Sequence, residues 1–397
     1  MTENVVVLGS GYAGAGAVKS IEKKLGDRVD LTWVSDVDHH LVLHEAHRCI
    51  RNPRVKEKIA IPVDDIKKPS TRFVQAEVTN VDTDEQVVEL DDGTEVNYDY
   101  CVVGIGSQTA FFGIEGLQEH ALTLKNLSDA LEIHDAIKEA ARDATRADPA
   151  QVIVGGAGLS GIQSAGEIAE FRDMHRAPID IHLVEGLDNV FPPGKPEIQA
   201  KLDEMLRDRD IQIHTGEFIG EVDDETVYVG DDKELDYDVL LWTGGITGQN
   251  VAEKLDIGQD ERSHRLHASS SFKTSEPGVF AIGDSALVDQ PGDEPAPPTA
   301  QAAWDAAEIV GENIKRDIND QPLQEWRYKD KGTVVSVGDE AVAQDIKPTE
   351  AIDIPIAQVL GNPFDGMAAE TLKKGIAARW INKVAGPSHA AKAWPDM

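Results

Sequence analysis

The chain has 397 residues, 72 of them acidic and 38 basic, giving a formal charge of −34. That length accommodates two or three domains with proper cores, and 41% apolar residues is a globular fraction that excludes disorder as the default. The acidic excess excludes nucleic acid as a partner and keeps the body of the protein off anionic surfaces; it suits a halophilic setting, where about 1 M salt shortens the Debye length to about 3 Å.

The first predicted element is "NVVVLGSGYAGAGAVKSI", an apolar β-run, a glycine turn and a helix of small residues. Gly9, Gly11 and Gly14 form GxGxxG directly after the strand. Such glycines give a tight turn, let the backbone approach a pyrophosphate and pack the helix closely, with the helix N-terminus facing the phosphates. A second apolar run, "VDLTWVSD", ends at Asp36, 22 residues past Gly14, where an acid suits a ribose diol. Next comes "DVDHHLVLHEAH", with His39, His40, His44, Glu45 and His47 close together. Its HxxH and HxxxH spacings suit zinc only on a helix, and the segment follows a β-strand, so no metal is expected. Cys49 and Cys101 stand 52 positions apart with no CxxC, which implies neither a disulfide framework nor a redox dithiol and suggests a reducing, cytoplasmic compartment. No apolar run approaches the roughly 18 residues of a membrane span, and the opening strand leaves no room for a signal peptide.

The chain then repeats itself. "AQVIVGGAGLSGIQSAGEIAE" carries a second GxGxxG at Gly156, Gly158 and Gly161, and "IDIHLVE" ends at Glu185, 24 residues past Gly161. "DDGTEVNYDYCVVGIGS" at 91–107 is matched by "GDDKELDYDVLLWTGG" at 230–245, each a polar hairpin, a buried strand and a glycine turn. Two nucleotide-binding domains of like topology imply two nucleotides and electron transfer between them. After "GVFAIGDSALVD" and a Pro-rich loop, Thr299 is the expected N-cap of a helix through "AQAAWDAAEIVGENI". The last predicted helix, about 368–384, carries four basic residues against one acid, with Leu372, Ile376, Trp380 and Val384 stepping by four.

With both glycine turns and "GVFAIGDSALVD" in hand, the chain resembles the flavoproteins with two dinucleotide-binding domains, for FAD and NAD(P). Within them, "VVGIGSQTAFFGIEG", "LLWTGGI", "APPTAQAAWDAAEIVGENI" and "RYKDKGTVVSVGDEAVA" are similar to type II NADH dehydrogenases, the single-subunit NADH:quinone oxidoreductases. The resemblance implies an α/β fold of two Rossmann-like domains, the second inserted in the first. An FAD domain at 1–115 and 250–325 would enclose an NADH domain at 116–249, followed by a C-terminal segment at 326–397. It also implies that Gly9, Gly11, Gly14 and Asp36 hold the ADP half of non-covalent FAD, that Gly106, Gly283 and Asp284 complete that site, and that Gly156, Gly158, Gly161 and Glu185 hold NADH. "GLDN" after Glu185 offers no cation for a 2′-phosphate, which favours NADH over NADPH.

The family's glutamate near nicotinamide and quinone is here Gln163, with Glu167 a later, separate residue. Of two glutamines one turn apart on the quinone-side helix, Gln301 matches the first and Asp305 replaces the second. Gln163 and Gln301 are therefore the candidate catalytic positions, and His44 or Glu45 a candidate flavin neighbour. The implied reaction passes hydride from NADH to FAD and two electrons to a membrane quinone, menaquinone-type in a halophilic archaeon, without proton pumping. The 368–384 helix is expected to dock the protein peripherally on the cytoplasmic face of the membrane, and a homodimer is compatible with the family. Two alternatives keep the fold: a sulfide:quinone oxidoreductase, which needs cysteines beside the flavin, and a flavin-bound redox sensor or assembly protein that does not turn over.

Overall fold

The computed structural model describes residues 2–255, 257–292, 294–347 and 361–397. Two parallel sheets organise them. The first runs, from edge to edge, Val279–Ala281, Tyr100–Val103, Glu3–Leu8, Val29–Ser35 and Arg72–Gln75. The second runs Val239–Trp242, Ala150–Gly155, Ile179–Glu185 and Ile211–Thr215. In both, the strand before the glycine turn is central and the strand ending in the predicted ribose acid lies beside it. The repeat seen in the sequence is thus a repeat of topology, and the fold is α/β with Rossmann-like parallel sheets. Strands such as Val5–Leu8 and Val152–Val154 are continuous apolar runs because helices cover both faces of a parallel sheet.

Helix packing around the glycine turns follows from small residues. A Cβ on Gly14 would stand 1.8 Å from the Gly9 carbonyl oxygen, and one on Gly161 would meet Gly156 in the same way at 1.8 Å. Gly9 and Gly156 have φ of +92° and +91°, backbone that an L side chain rarely adopts. Helix Tyr12–Lys24 then packs along helix Ala300–Ile318. Strand Val279–Ala281 returns the chain from the second sheet to the first.

The last predicted helix is present as Met367–Ala385, lying on the hairpin of Thr333–Val337 and Glu340–Gln344. Its orientation corrects the docking stripe. Trp380 is 1% exposed, Val384 is 2% exposed and Lys373 is 5% exposed. The inward face is Ala369, Lys373, Ala377, Trp380, Ile381 and Val384, the mixed three- and four-residue spacing of a helix stripe. Strict four-residue steps drift about 40° each, so the stripe drawn at that spacing winds off this face. Trp380 turns inward because its ring stacks on Trp304 at 4.8 Å and its Nε1–H donates to His40 Nε2 at 2.7 Å. Burial thereby leaves no polar atom of the indole unpaired. Among the described residues no helix is long and apolar enough to cross a membrane.

Candidate functional site

A cavity of about 1720 Å³ opens at the C-terminal ends of the first sheet's strands and continues to the C-terminal helix. Gly9, Gly11, Asp36, Gly106 and Asp284 line one arm of it, and Gln163 and Gln301 line its middle. Gly14 and Gly283 stand behind the lining: Gly14 sets the helix against the turn, and a Cβ on Gly283 would meet the Ala13 Cβ at 2.7 Å. Gly11 faces open space where a Cβ would be. Asp36 sits just past the second strand, with Ser35 Oγ donating to its Oδ1 at 3.2 Å.

The second nucleotide set lies outside the lining of this cavity, at the turn between strand Ala150–Gly155 and helix Leu159–His175. The Glu185 carboxylate accepts from the Ala157 N–H at 2.8 Å and the Leu187 N–H at 3.0 Å, so the acid also fastens its own turn. Gly158 is open where a Cβ would stand. Helix Leu159–His175 joins the two regions, since its Leu159, Ser160 and Gln163 line the large cavity.

Lys125 is a lining residue that no sequence pattern announced. Its Nζ donates to Ser107 Oγ at 2.9 Å, and that hydroxyl reaches Asp284 Oδ2 at 3.5 Å. Burial lowers the lysine below its ordinary range, opposed by Asp284 and Asp129. Beside it, Arg265 Nε donates to the Asp284 carbonyl oxygen at 2.8 Å, fixing the loop that carries this acid.

The middle of the cavity is aromatic. Tyr12 is hydrogen-bonded to His44 Nδ1 and lies edge-on to Trp304 and Trp380. His40 donates through Nδ1 to the Ser10 carbonyl oxygen at 2.8 Å and accepts from Trp380, which fixes one neutral tautomer. Burial takes both His40 and His44 down to about 4 and lifts Tyr12 well above its usual range. Thr299 caps helix Ala300–Ile318 as expected, its hydroxyl accepting from the Ala302 N–H at 3.2 Å, and this N-terminus borders the cavity. Gln301 Nε2 donates to the Lys329 carbonyl oxygen at 2.9 Å, and Asp305 is held by Lys331 at 2.6 Å.

Behind Gln163 lies a buried ionic cluster. Lys373 Nζ donates to Gln163 Oε1, which also accepts from Ser336 Oγ at 3.3 Å. Arg48 Nε pairs with Glu45 Oε2 at 2.5 Å, and Arg51 Nε with Glu167 Oε2 at 2.9 Å. Burial lowers Lys373 to about 8, with Glu45 pulling the other way. Burial lifts Glu167 to about 7 against the pull of Arg51 and Arg48. Glu45 differs: the cations Lys373 and Arg48 together outweigh burial and hold its carboxyl below the usual range. His47 is pushed well down by burial and these same cations. Two groups in this cluster therefore titrate near neutral pH, one step behind a side chain that lines the cavity. His44 and Glu45, singled out in the sequence, belong to this wall; Lys373 entered only as one of the basic residues of the tail.

Both thiols are buried and free, Cys101 inside its strand and Cys49 in the short helix Arg48–Arg51. Neither lines the large cavity, and burial pushes Cys49 up to about 12. A sulfur-carrying cysteine at this site is thus missing. The first arm fits an adenine dinucleotide flavin: an open glycine turn at a helix N-terminus, an acid at the end of the neighbouring strand, and a volume above the roughly 1,000 Å³ upper end for small-ligand pockets.

The chain is 28% identical to the type II NADH:quinone oxidoreductase of Staphylococcus aureus over 98% of either protein. Among solved structures, NDH2 of Plasmodium falciparum in complex with NADH superposes with a TM-score of 0.83 at 17% identity, covering 100% of this chain and 98% of that one. The sulfide:quinone oxidoreductase of Aquifex aeolicus superposes with a TM-score of 0.78 at 17% identity, covering 97% and 92%. These two likenesses concern the fold. The sequence family described as pyridine nucleotide-disulphide oxidoreductase matches residues 3–307, so the stretch holding both glycine turns, both ribose acids and Asp284 places the chain in that family.

Proposed function

We propose that the protein is an FAD-dependent NADH:quinone oxidoreductase. The observation that carries this reading is the full-length similarity to a type II NADH:quinone oxidoreductase, joined to a single cavity that extends from the first glycine turn past Gln163 to the C-terminal helix. The sulfide:quinone alternative lacks its cysteine. Residues 1–115 and 250–325 are assigned to FAD, 116–249 to NADH, and 326–397 to a C-terminal segment, of which 326–347 and 361–397 are described and close the cavity's far end.

Bound non-covalently, FAD would supply the two-electron chemistry between NADH and quinone. The chain positions and polarises. Gly11 offers the open backbone at the helix N-terminus to the pyrophosphate, with Gly9, whose N–H is bonded to the Val34 carbonyl oxygen, turning the chain and Gly14 packing the helix behind it; Asp36 binds the adenosine ribose, and Asp284, with Lys125 near it, orients the ribityl side. At the second turn Gly158 is the open glycine, Gly156 turns the chain and Gly161 packs the helix, so that this turn and Glu185 hold NADH, Glu185 also repelling a 2′-phosphate. The Thr299-capped helix N-terminus places partial positive charge where negative charge develops on reduction. Tyr12, Trp304 and Trp380 exclude water from the centre. Gln163 cannot itself release a proton as a carboxyl group does. Lys373, hydrogen-bonded behind it, is the group that gives up a proton as quinone is reduced.

Membrane contact is peripheral and falls to the open rim of the cavity rather than to Trp380. Met367 is 81% exposed and Trp394 41% exposed there, beside Leu372 and Ile376 of the lining. The test is to add NADH to the yellow protein without oxygen, follow bleaching near about 450 nm, then add quinone and follow the return of colour. Bleaching that quinone does not reverse would refute the acceptor; no bleaching would refute the enzyme.

A further inference from the structure

A second cavity, of about 1070 Å³, lies behind the ionic cluster, between segments 48–55, 134–142, 171–178, 336–341, 370–374 and 395–397. Eight Lys and Arg line it against four Asp and Glu, in a chain whose overall balance is nearly the reverse. Some of this charge is neutralised locally. Arg48 and Arg51 serve Glu45, Glu167 and Asp339, while Arg142 pairs with Glu139 and Asp143. Arg54, Lys138, Arg176 and Lys374 have no ion pair among the described residues. Of the lining acids, Asp339 is taken by Arg51 and Glu340 by Arg209 at 3.4 Å, leaving Glu370 and Asp396. Four cations without an ion pair among the described residues thus line one hollow, Arg54, Lys138 and Arg176 exposed at its surface and Lys374 half-buried, in a protein with carboxylates to spare. Like charges facing one another repel, and a bound anion removes that cost. Guanidinium groups at the mouth suit a tetrahedral oxyanion through paired N–H donors.

We propose that this hollow binds a small multivalent oxyanion of the pyrophosphate or phosphate-ester class, and that its occupancy acts on the large cavity through Lys373. The link is geometric. Lys373 lines the rear hollow, its Nζ donates to Gln163, and Gln163 lines the large cavity. Ser336 and Arg48 line the rear hollow and His47 the front, so these side chains form the wall between the two. The groups facing Lys373 across this wall are Glu45, Glu167, Arg48, His44 and His47. An anion arriving from behind adds negative charge on the side where Arg48 now opposes the lysine, so it holds Lys373 in its protonated form. This link rests on the role given above to Lys373; the binding itself does not.

The experiment titrates pyrophosphate, with citrate as a carboxylate comparison, into the FAD-loaded full chain by calorimetry at fixed ionic strength. The expected dissociation constant for pyrophosphate is below about 1 mM. Arg54→Glu and Lys374→Glu are each expected to weaken it by at least about tenfold, while exposed Lys23→Glu on the far helix leaves it unchanged. No binding by about 10 mM, or equal weakening by all three variants, overturns the site, and tighter citrate overturns its preference for phosphate. A second reading follows the Lys373 side-chain resonance, identified by its loss in Lys373→Met, through a pH titration. An upward shift of its midpoint with pyrophosphate supports the link; an unmoved midpoint with intact binding overturns it. If Lys373→Met leaves the pH profile of quinone turnover unchanged, the proton role fails, yet the oxyanion site still stands or falls on Arg54 and Lys374.

Discussion

Lys373→Met tests the ionic cluster through stability. Burial brings Lys373 from the ordinary lysine value of 10.5 down to about 8. Between those two pH values the unfolded chain holds a proton that the folded chain has released. Stability contributed through this residue therefore rises with pH across the window, and below about pH 8 the full cost of burying the charge is present. At about 1.36 kcal/mol per pH unit, the total comes to about 3 kcal/mol. Other lysines and the tyrosines titrate in both proteins and cancel in a difference, and Glu167, near 7, lies below the window. The assay is urea unfolding of wild type and Lys373→Met at fixed salt and fixed excess FAD, from pH 7.5 to 10.5 in roughly half-unit steps. The expected result is a wild-type-minus-variant stability that climbs by about 3 kcal/mol between pH 8 and 10.5. A difference that stays flat within about 1 kcal/mol would refute the buried, Gln163-bound lysine.

Other outcomes follow from the same structure. Glu167→Gln should remove a fall in stability that wild type undergoes as pH rises from about 4.5 to about 7, because the folded carboxyl keeps its proton there and the unfolded one does not; unfolding at pH 5 and 7 measures it. Glu185→Ala should weaken NADH binding by about 1 to 3 kcal/mol with FAD content unchanged, read by titration of flavin reduction; loss of FAD instead would mean the two nucleotide sites are exchanged. Trp380→Ala should cost about 3 to 5 kcal/mol of stability, since it empties the stack on Trp304 and leaves His40 without its donor, while Trp394→Ala should spare stability and reduce flotation with vesicles. Gln163→Glu should keep NADH-driven bleaching within about tenfold, a barrier change of about 1.4 kcal/mol, and alter the pH profile of quinone turnover; identical profiles would remove this position from proton handling.

The parts legible in the sequence are those written in short stretches of it. The glycine turns at Gly9 and Gly156 needed only neighbouring residues to specify a positive φ and a close helix, and they occur as expected. Thr299 capped its helix because a cap is a contact between near neighbours. The C-terminal helix at Met367–Ala385 could be read from composition and spacing, although its inward face could not.

What only tertiary structure decided is which distant side chains share a wall. Lys373 meets Gln163 across 210 positions and Trp380 meets His40 across 340, distances at which no local pattern connects partners. Lys125 reaches the Ser107–Asp284 pair in the same unannounced way, and Lys331 takes Asp305, so the residue that departs from the family pattern is already an ion-pair partner. The sequence by itself determined that this chain folds as two dinucleotide-binding units, because strand, turn and acid follow one another within about two dozen residues. Tertiary structure alone turned a basic, Trp-bearing tail inward: an indole that stacks on Trp304 and satisfies its N–H on His40 is better buried than wetted, and its helix brings Lys373 with it to Gln163.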